Sequence, residues 1–135
     1  MRTNILRRPA MYVPYNANPL NNNTIDCTIR AISRLTNKSW DAVYVALAVE
    51  GFIQKDLPNS NRVWGKYLQE NGFVRDIIPN TCPVCYTVND FCVDHPYGAF
   101  LLVTGDHVIA VIDGNYYDTW DSGQAVPVYY WTKGE

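Results

Sequence analysis

The chain has 135 residues, a formal net charge of −2, and a composition 47% hydrophobic with ten tyrosines and four tryptophans. That content fits one folded domain and excludes a disordered chain; the charge excludes a broad basic face for nucleic acid, although Arg2, Arg7 and Arg8 make the N-terminus locally basic. No apolar run matches the roughly 7–15 residues of a signal-peptide core or the ~20 of a membrane span, so a cytoplasmic protein without membrane contacts is expected, its four cysteines mostly reduced.

Residues 1–24 are rich in asparagine and proline (Pro9, Pro14, Pro19, Asn21, Asn22, Asn23), which predicts an extended arm over a single domain spanning 25–135. Met11, Tyr12, Val13 and Tyr15 are its available anchors. Asp26 then serves as an N-cap, and Ile29, Ile32 and Leu35 carry one apolar stripe to about Asn37. Ser39 caps a second helix through Trp40, Val43, Tyr44 and Leu47, predicted to stop at Gly51. A third starts near Asn59 or Ser60, buries Val63, Trp64, Tyr67 and Leu68, and ends at Gly72. Thr87-Val88-Asn89-Asp90 has the pattern of a capping box opening a short fourth helix.

Strand signals follow in the second half. They cover Phe73–Ile78, Ala99–Thr104, His107–Ile112, Tyr116–Trp120 and Val126–Thr132, with Asp113-Gly114-Asn115 joining the third and fourth into a hairpin. Helices first and an antiparallel meander second predict an α+β domain.

Cys27 falls in the first turn of the first helix, behind Asp26. Unpaired N–H groups and the helix dipole there stabilise a thiolate and offer donors to an oxyanion. The plainer reading is a small buried residue opening an amphipathic helix. His107 opens an apolar strand after Gly105, where a side chain can face a groove. A catalytic imidazole needs a third group to fix its ring, and Asp118 and Asp121 follow on the partner strand. A three-residue hairpin loop sets Asp121 opposite His107, whereas a two-residue loop puts Asp118 on the His107 face. The sequence leaves both open.

With these residues in place, the chain resembles the papain-like cysteine peptidase superfamily. Its members carry a cysteine at a helix start, then a histidine and an Asp or Asn on adjacent strands of a following antiparallel sheet. C39-type bacteriocin-processing peptidases are similar in order and spacing. Small papain-like proteins of phages and Firmicutes are more similar still, in the segment Asp26-Cys27-Thr28-Ile29-Arg30-Ala31-Ile32 and in His107 through Asp121. The resemblance spans about residues 11–131. It implies a papain-like fold, Cys27 as nucleophile, His107 as base and Asp121 as the favoured orienting acid, with Asp118 close behind. The superfamily's oxyanion glutamine corresponds to Asn21, one carbon shorter, with Asn22 and Asn23 in reach; a turn residue in a polar loop is the plainer reading of Asn21.

The expected activity is hydrolysis of a peptide or isopeptide amide in a peptide or protein substrate, through a thioester on Cys27 and with no cofactor. Transfer of the acyl group to an amine is a related outcome. Two rivals are a non-catalytic module of the same fold that engages a host factor in a phage setting, and a zinc-stabilised interaction domain. The second would use Cys82, Cys85, Cys92 and His95, spaced C-x2-C-x6-C-x2-H, although burial of Cys92 and a redox-silent Cys82/Cys85 pair are more ordinary. The aromatic cluster Tyr116, Tyr117, Trp120, Tyr129, Tyr130 and Trp131 is assigned to sheet packing ahead of base or substrate stacking.

Overall fold

A computed structural model describes residues 8–134; Arg2, Arg7 and the start of the 1–24 arm lie outside the described residues. Ten elements follow in order: β1 (Met11–Pro14), α1 (Cys27–Thr36), α2 (Trp40–Gln54), α3 (Asn61–Glu70), β2 (Phe73–Ile77), α4 (Val88–Asp94), β3 (Ala99–Val103), β4 (Val108–Ile112), β5 (Asn115–Asp118) and β6 (Tyr129–Lys133). The six strands make one mixed sheet in the order β1-β5-β4-β3-β6-β2. This is an α+β domain with helices concentrated in the first half. No helix among the described residues is long and apolar enough to cross a membrane.

The central strands explain the layering. Side chains alternate across a strand, so Leu101, Val103, Val108 and Ala110 face one core while Leu102, Ile109 and Val111 face another. The first core is filled by Ile32 of α1, Leu47 of α2, and Trp64 and Leu68 of α3, all fully buried. Val88, Phe91 and Cys92 of α4 fill the second. Burial on both faces is why β3 and β4 read as unbroken apolar runs instead of alternating ones.

Two local expectations change, and one open alternative is decided. Within the arm, Met11–Pro14 is a strand that pairs parallel with β5, so it extends the sheet instead of lying over it. Its two middle residues are only half-buried, which leaves a weak apolar signal between prolines. Helix α2 does not stop at Gly51 but runs to Gln54, and Lys55 takes the left-handed C-cap (φ 57°). Gly51 answers a different need: the following chain folds back so tightly that a Cβ there would lie 2.7 Å from the Asp56 carbonyl. Third, β4 and β5 pair Ile112 with Asn115, leaving a two-residue loop. Asp113 (φ 50°) and Gly114 (φ 78°) are both left-handed, as a type I′ turn requires.

Candidate active site

That two-residue turn decides which acid meets the histidine. Extending the observed Ala110–Tyr117 pairing by one step sets Asp118 opposite Ile109, two residues from His107 and on its face. His107 Nε2 lies 2.6 Å from Asp118 Oδ2. The Cys27 thiol interacts with the same imidazole and with the Val108 backbone, and both interactions favour the thiolate. Cys27, His107 and Asp118 therefore form one continuous chain of contacts.

The turn before β4 fixes the imidazole from behind. Thr104 N–H donates to the His107 carbonyl at 2.8 Å, closing the end of the β3–β4 hairpin. The Trp120 ring lies 5.1 Å from the His107 ring and leans over it at 31°. Trp120 is half-exposed, so among the late aromatics it departs from the packing role that Tyr116 and Trp131 fulfil in the cores.

Asp118 is fully buried, and its carboxylate is saturated with donors. Oδ2 accepts from His107 and from Ser122 Oγ at 2.7 Å; Oδ1 accepts from the Thr119 N–H at 2.8 Å and from the Arg30 guanidinium at 3.0 Å. The Asp118 carbonyl in turn accepts from Tyr15 N–H at 2.8 Å and Tyr12 OH at 3.2 Å, so β1 grips the same residue from the sheet edge.

Asp26 occupies the N-cap position of α1 but does not cap with its side chain. Its carboxylate instead accepts from Arg30 at 2.6 Å and from Trp40 Nε1 at 2.8 Å. The first backbone bond of the helix is Arg30 N–H to the Asp26 carbonyl, so the preceding N–H groups of the first turn keep the free donor character of a helix start. A thiolate and an oxyanion both gain from donors of that kind.

Electrostatics follow from this geometry. Burial pushes the Cys27 thiol up, but the hydrogen bonds from His107 and Val108 and the positive charges of His107 and Arg30 outweigh it, holding the thiol below its ordinary value. Burial opposes the His107 charge, yet Asp118 and Cys27 overcome that and raise the imidazole to about 9. Burial would raise Asp118 as well, but His107, Ser122 and the Thr119 N–H keep it below the usual carboxylate value. The site thus favours the thiolate relative to a free cysteine and keeps the imidazole protonated near neutral pH, braced by a buried carboxylate.

No family model, curated protein or solved structure matches this chain. The chemistry of the site rests on its own geometry.

A cavity of about 370 Å³ opens beside Cys27 and His107. Its floor is apolar, from Ile29, Leu47 and Val103, and Asp106 and Asn59 stand at its rim. Asn21 and Asn23 lie elsewhere, in a shallower depression with Tyr15 and Trp120. Asn21 takes a left-handed turn conformation (φ 56°), and its amide oxygen accepts from Asn16 Nδ2 at 3.3 Å. Neither asparagine is brought to Cys27. Asp121 is also turned away: it accepts from Tyr116 OH and, at 3.1 Å, from the Gly123 N–H. Those bonds close the loop after β5 that delivers Ser122 to Asp118.

Sequence reasoning missed Arg30, Asp26, Ser122 and Trp40 as parts of this site. The i,i+4 spacing of Asp26 and Arg30 at the start of a predicted helix was a usable signal for the first two. Ser122 and Trp40 had none, because loop closure and helix packing alone bring them in.

The second cysteine cluster takes a different form from a metal site. Cys82 and Cys85 are joined in a disulfide, contrary to the expectation of mostly reduced thiols, while Cys27 and Cys92 are free. Cys92 is buried in the α4 core, where burial pushes its thiol up to about 12, and His95 bonds to the Phe91 carbonyl and stacks on the Phe91 ring. Among the described residues, no group of three or more His, Cys, Asp or Glu is placed to hold a metal ion.

Proposed function

We propose that the chain is a papain-like thiol hydrolase that cleaves a peptide or isopeptide amide. The observation carrying this reading is the unbroken contact from the Cys27 sulfur through His107 to Asp118. Support for the papain-like fold is the order of parts: a cysteine opening a helix, followed by a histidine and an acid at one end of neighbouring antiparallel strands.

In this reading the Cys27 thiolate attacks the scissile carbonyl carbon, and the carbonyl oxygen becomes an oxyanion facing the free N–H groups at the start of α1. His107, protonated at Nδ1, gives its proton to the leaving nitrogen as the C–N bond breaks. The product is a thioester on Cys27 and a free amine. Water then attacks the thioester, its proton passes to His107, and the thiolate leaves with the carboxylic acid released. Asp118 holds the imidazole by its Nε2 throughout, and Trp120 shields that hydrogen bond on one side. The step needs no cofactor. Transfer of the acyl group to an amine would use the same thioester.

Alkylation by iodoacetamide across pH tests the reading. Cys27 should react faster than a model thiol near neutral pH, and His107→Ala should abolish the advantage. A Cys27 that reacts no faster than a model thiol, with no response to His107→Ala, overturns it.

A further inference from the structure

We infer that the cavity beside Cys27 is a subsite for a cationic side chain, a lysine or arginine of the substrate, and that Asp106 selects it. The inference rests on the hydrolase reading for the meaning of the site, but its physical basis is separate. The cavity combines a partly apolar floor with one carboxylate, Asp106, that no lysine or arginine neutralises. Ile29, Leu47 and Val103 form the apolar floor, and Ile25, 96% exposed, forms one lip. Asp106 stands on the β3–β4 turn immediately before His107. No lysine or arginine lines the cavity, and none among the described residues pairs with Asp106. The other carboxylate there, Asp26, is buried and already bound to Arg30 and Trp40.

Lysine and arginine match this shape. They lay a long apolar stem along hydrophobic surface while the charged head reaches polar surroundings. A volume of about 370 Å³ accommodates one such side chain. Gly105 beside Asp106 is exposed and borders open space, since a Cβ added there would meet nothing within 4 Å. The Asn59 and Asn61 amides across the rim add neutral hydrogen-bonding groups without cancelling the charge. An acidic side chain would meet the Asp106 carboxylate, while His107, the cationic group of the lining, is already engaged by Asp118.

The test is a titration of the isotope-labelled full chain, following the backbone amide signals of Thr104 to His107. The probes are the Nα-acetyl amides of lysine, arginine, glutamine and glutamate. Lysine and arginine should bind roughly three- to tenfold more tightly than glutamine, with glutamate weakest. Asp106→Asn should reduce the cation preference to about twofold or less, and Asp106→Lys should reverse it. Equal binding of all four, no response at these amides to any probe, or an undiminished preference in Asp106→Asn would each overturn the proposal. The same titration on Cys27→Ala separates this inference from the hydrolase reading, because binding here does not depend on the thiol. A cationic preference alongside a Cys27 inert to alkylation would remove the hydrolase and keep the subsite; a reactive Cys27 without the preference would do the opposite.

Discussion

Arg30 on α1 reaches across to Asp118 at the end of β5, 3.0 Å away, with its guanidinium side chain 6% exposed and the carboxylate 1%. Its other nitrogen holds Asp26 at 2.6 Å, so one cation neutralises two buried carboxylates from different elements. A buried charge is tolerated only when partnered, and removing Arg30 leaves Asp26 without a counter-charge and Asp118 with His107 alone. Arg30→Met should therefore destabilise the fold by about 3–5 kcal/mol, measured by urea denaturation. Arg30→Lys should recover only part of that, since a single ammonium cannot reproduce the two-pronged contact.

Asp118 and Asp121 should separate cleanly by substitution. Asp118→Asn removes the charge that supports the imidazolium, so turnover should fall by roughly 10²–10⁴-fold and the alkaline limb of the activity profile should move down from about 9. Asp121→Asn disturbs only the Tyr116 and Gly123 bonds of the loop. It should cost about 1 kcal/mol of stability while leaving the pH dependence of Cys27 alkylation in place. Equal effects of the two substitutions on that pH dependence would reverse the assignment.

The pH behaviour follows from the direction of each shift. Amide cleavage requires the thiolate and the protonated imidazole together. Activity should rise as pH passes upward through the depressed Cys27 value, and fall as pH passes about 9, where His107 loses its proton. Alkylation requires only the thiolate, so its rate should keep its high level above 9 while cleavage declines. In His107→Ala the alkylation midpoint should move up into the ordinary thiol range. Parallel measurement of the two rates on the unmodified chain, with alkylation repeated on His107→Ala, checks these points.

Much of this was legible in the sequence, and what was not has physical causes. Helices α1, α3 and α4 and the central strands came from apolar periodicity and caps, which act locally and leave direct traces: Thr87 and Asp90 form the expected capping box, and Val63, Trp64, Tyr67 and Leu68 are buried as a set. Cys27 and His107 came from their positions at element starts. The choice of Asp118 over Asp121 depended on one residue of loop length, a quantity set by the left-handed Asp113 and Gly114 and not by any periodicity. The edge strand β1 escaped notice because a four-residue strand among prolines and asparagines gains its pairing only from β5, about a hundred residues later. Arg30 was hidden by the ordinary rule that charged side chains face water.

Cys82 and Cys85 close a very small ring in the exposed segment between β2 and α4. A ring of that size constrains the unfolded chain little, so replacing both by serine should cost no more than about 2 kcal/mol. Thermal unfolding with and without a reductant should show a small difference, and Cys27 reactivity should not respond to either change. Metal analysis of the reduced protein should find no stoichiometric zinc; one equivalent that disappears with Cys92→Ser would restore the metal-bound alternative.

The stretch from Tyr15 to Asp26 begins and ends on the same residue. At one end Tyr15 donates to the Asp118 carbonyl; at the other Asp26 is linked through Arg30 to the Asp118 carboxylate. The segment is in effect a loop hung from a single peg, and it carries Asn21 and Asn23 past Trp120. Anything that loosens Asp118 frees both ends together, so hydrogen exchange along these residues should open as one unit in step with the imidazole's loss of support. The acid that orients the histidine thereby also anchors the segment that lines the depression on the Trp120 side.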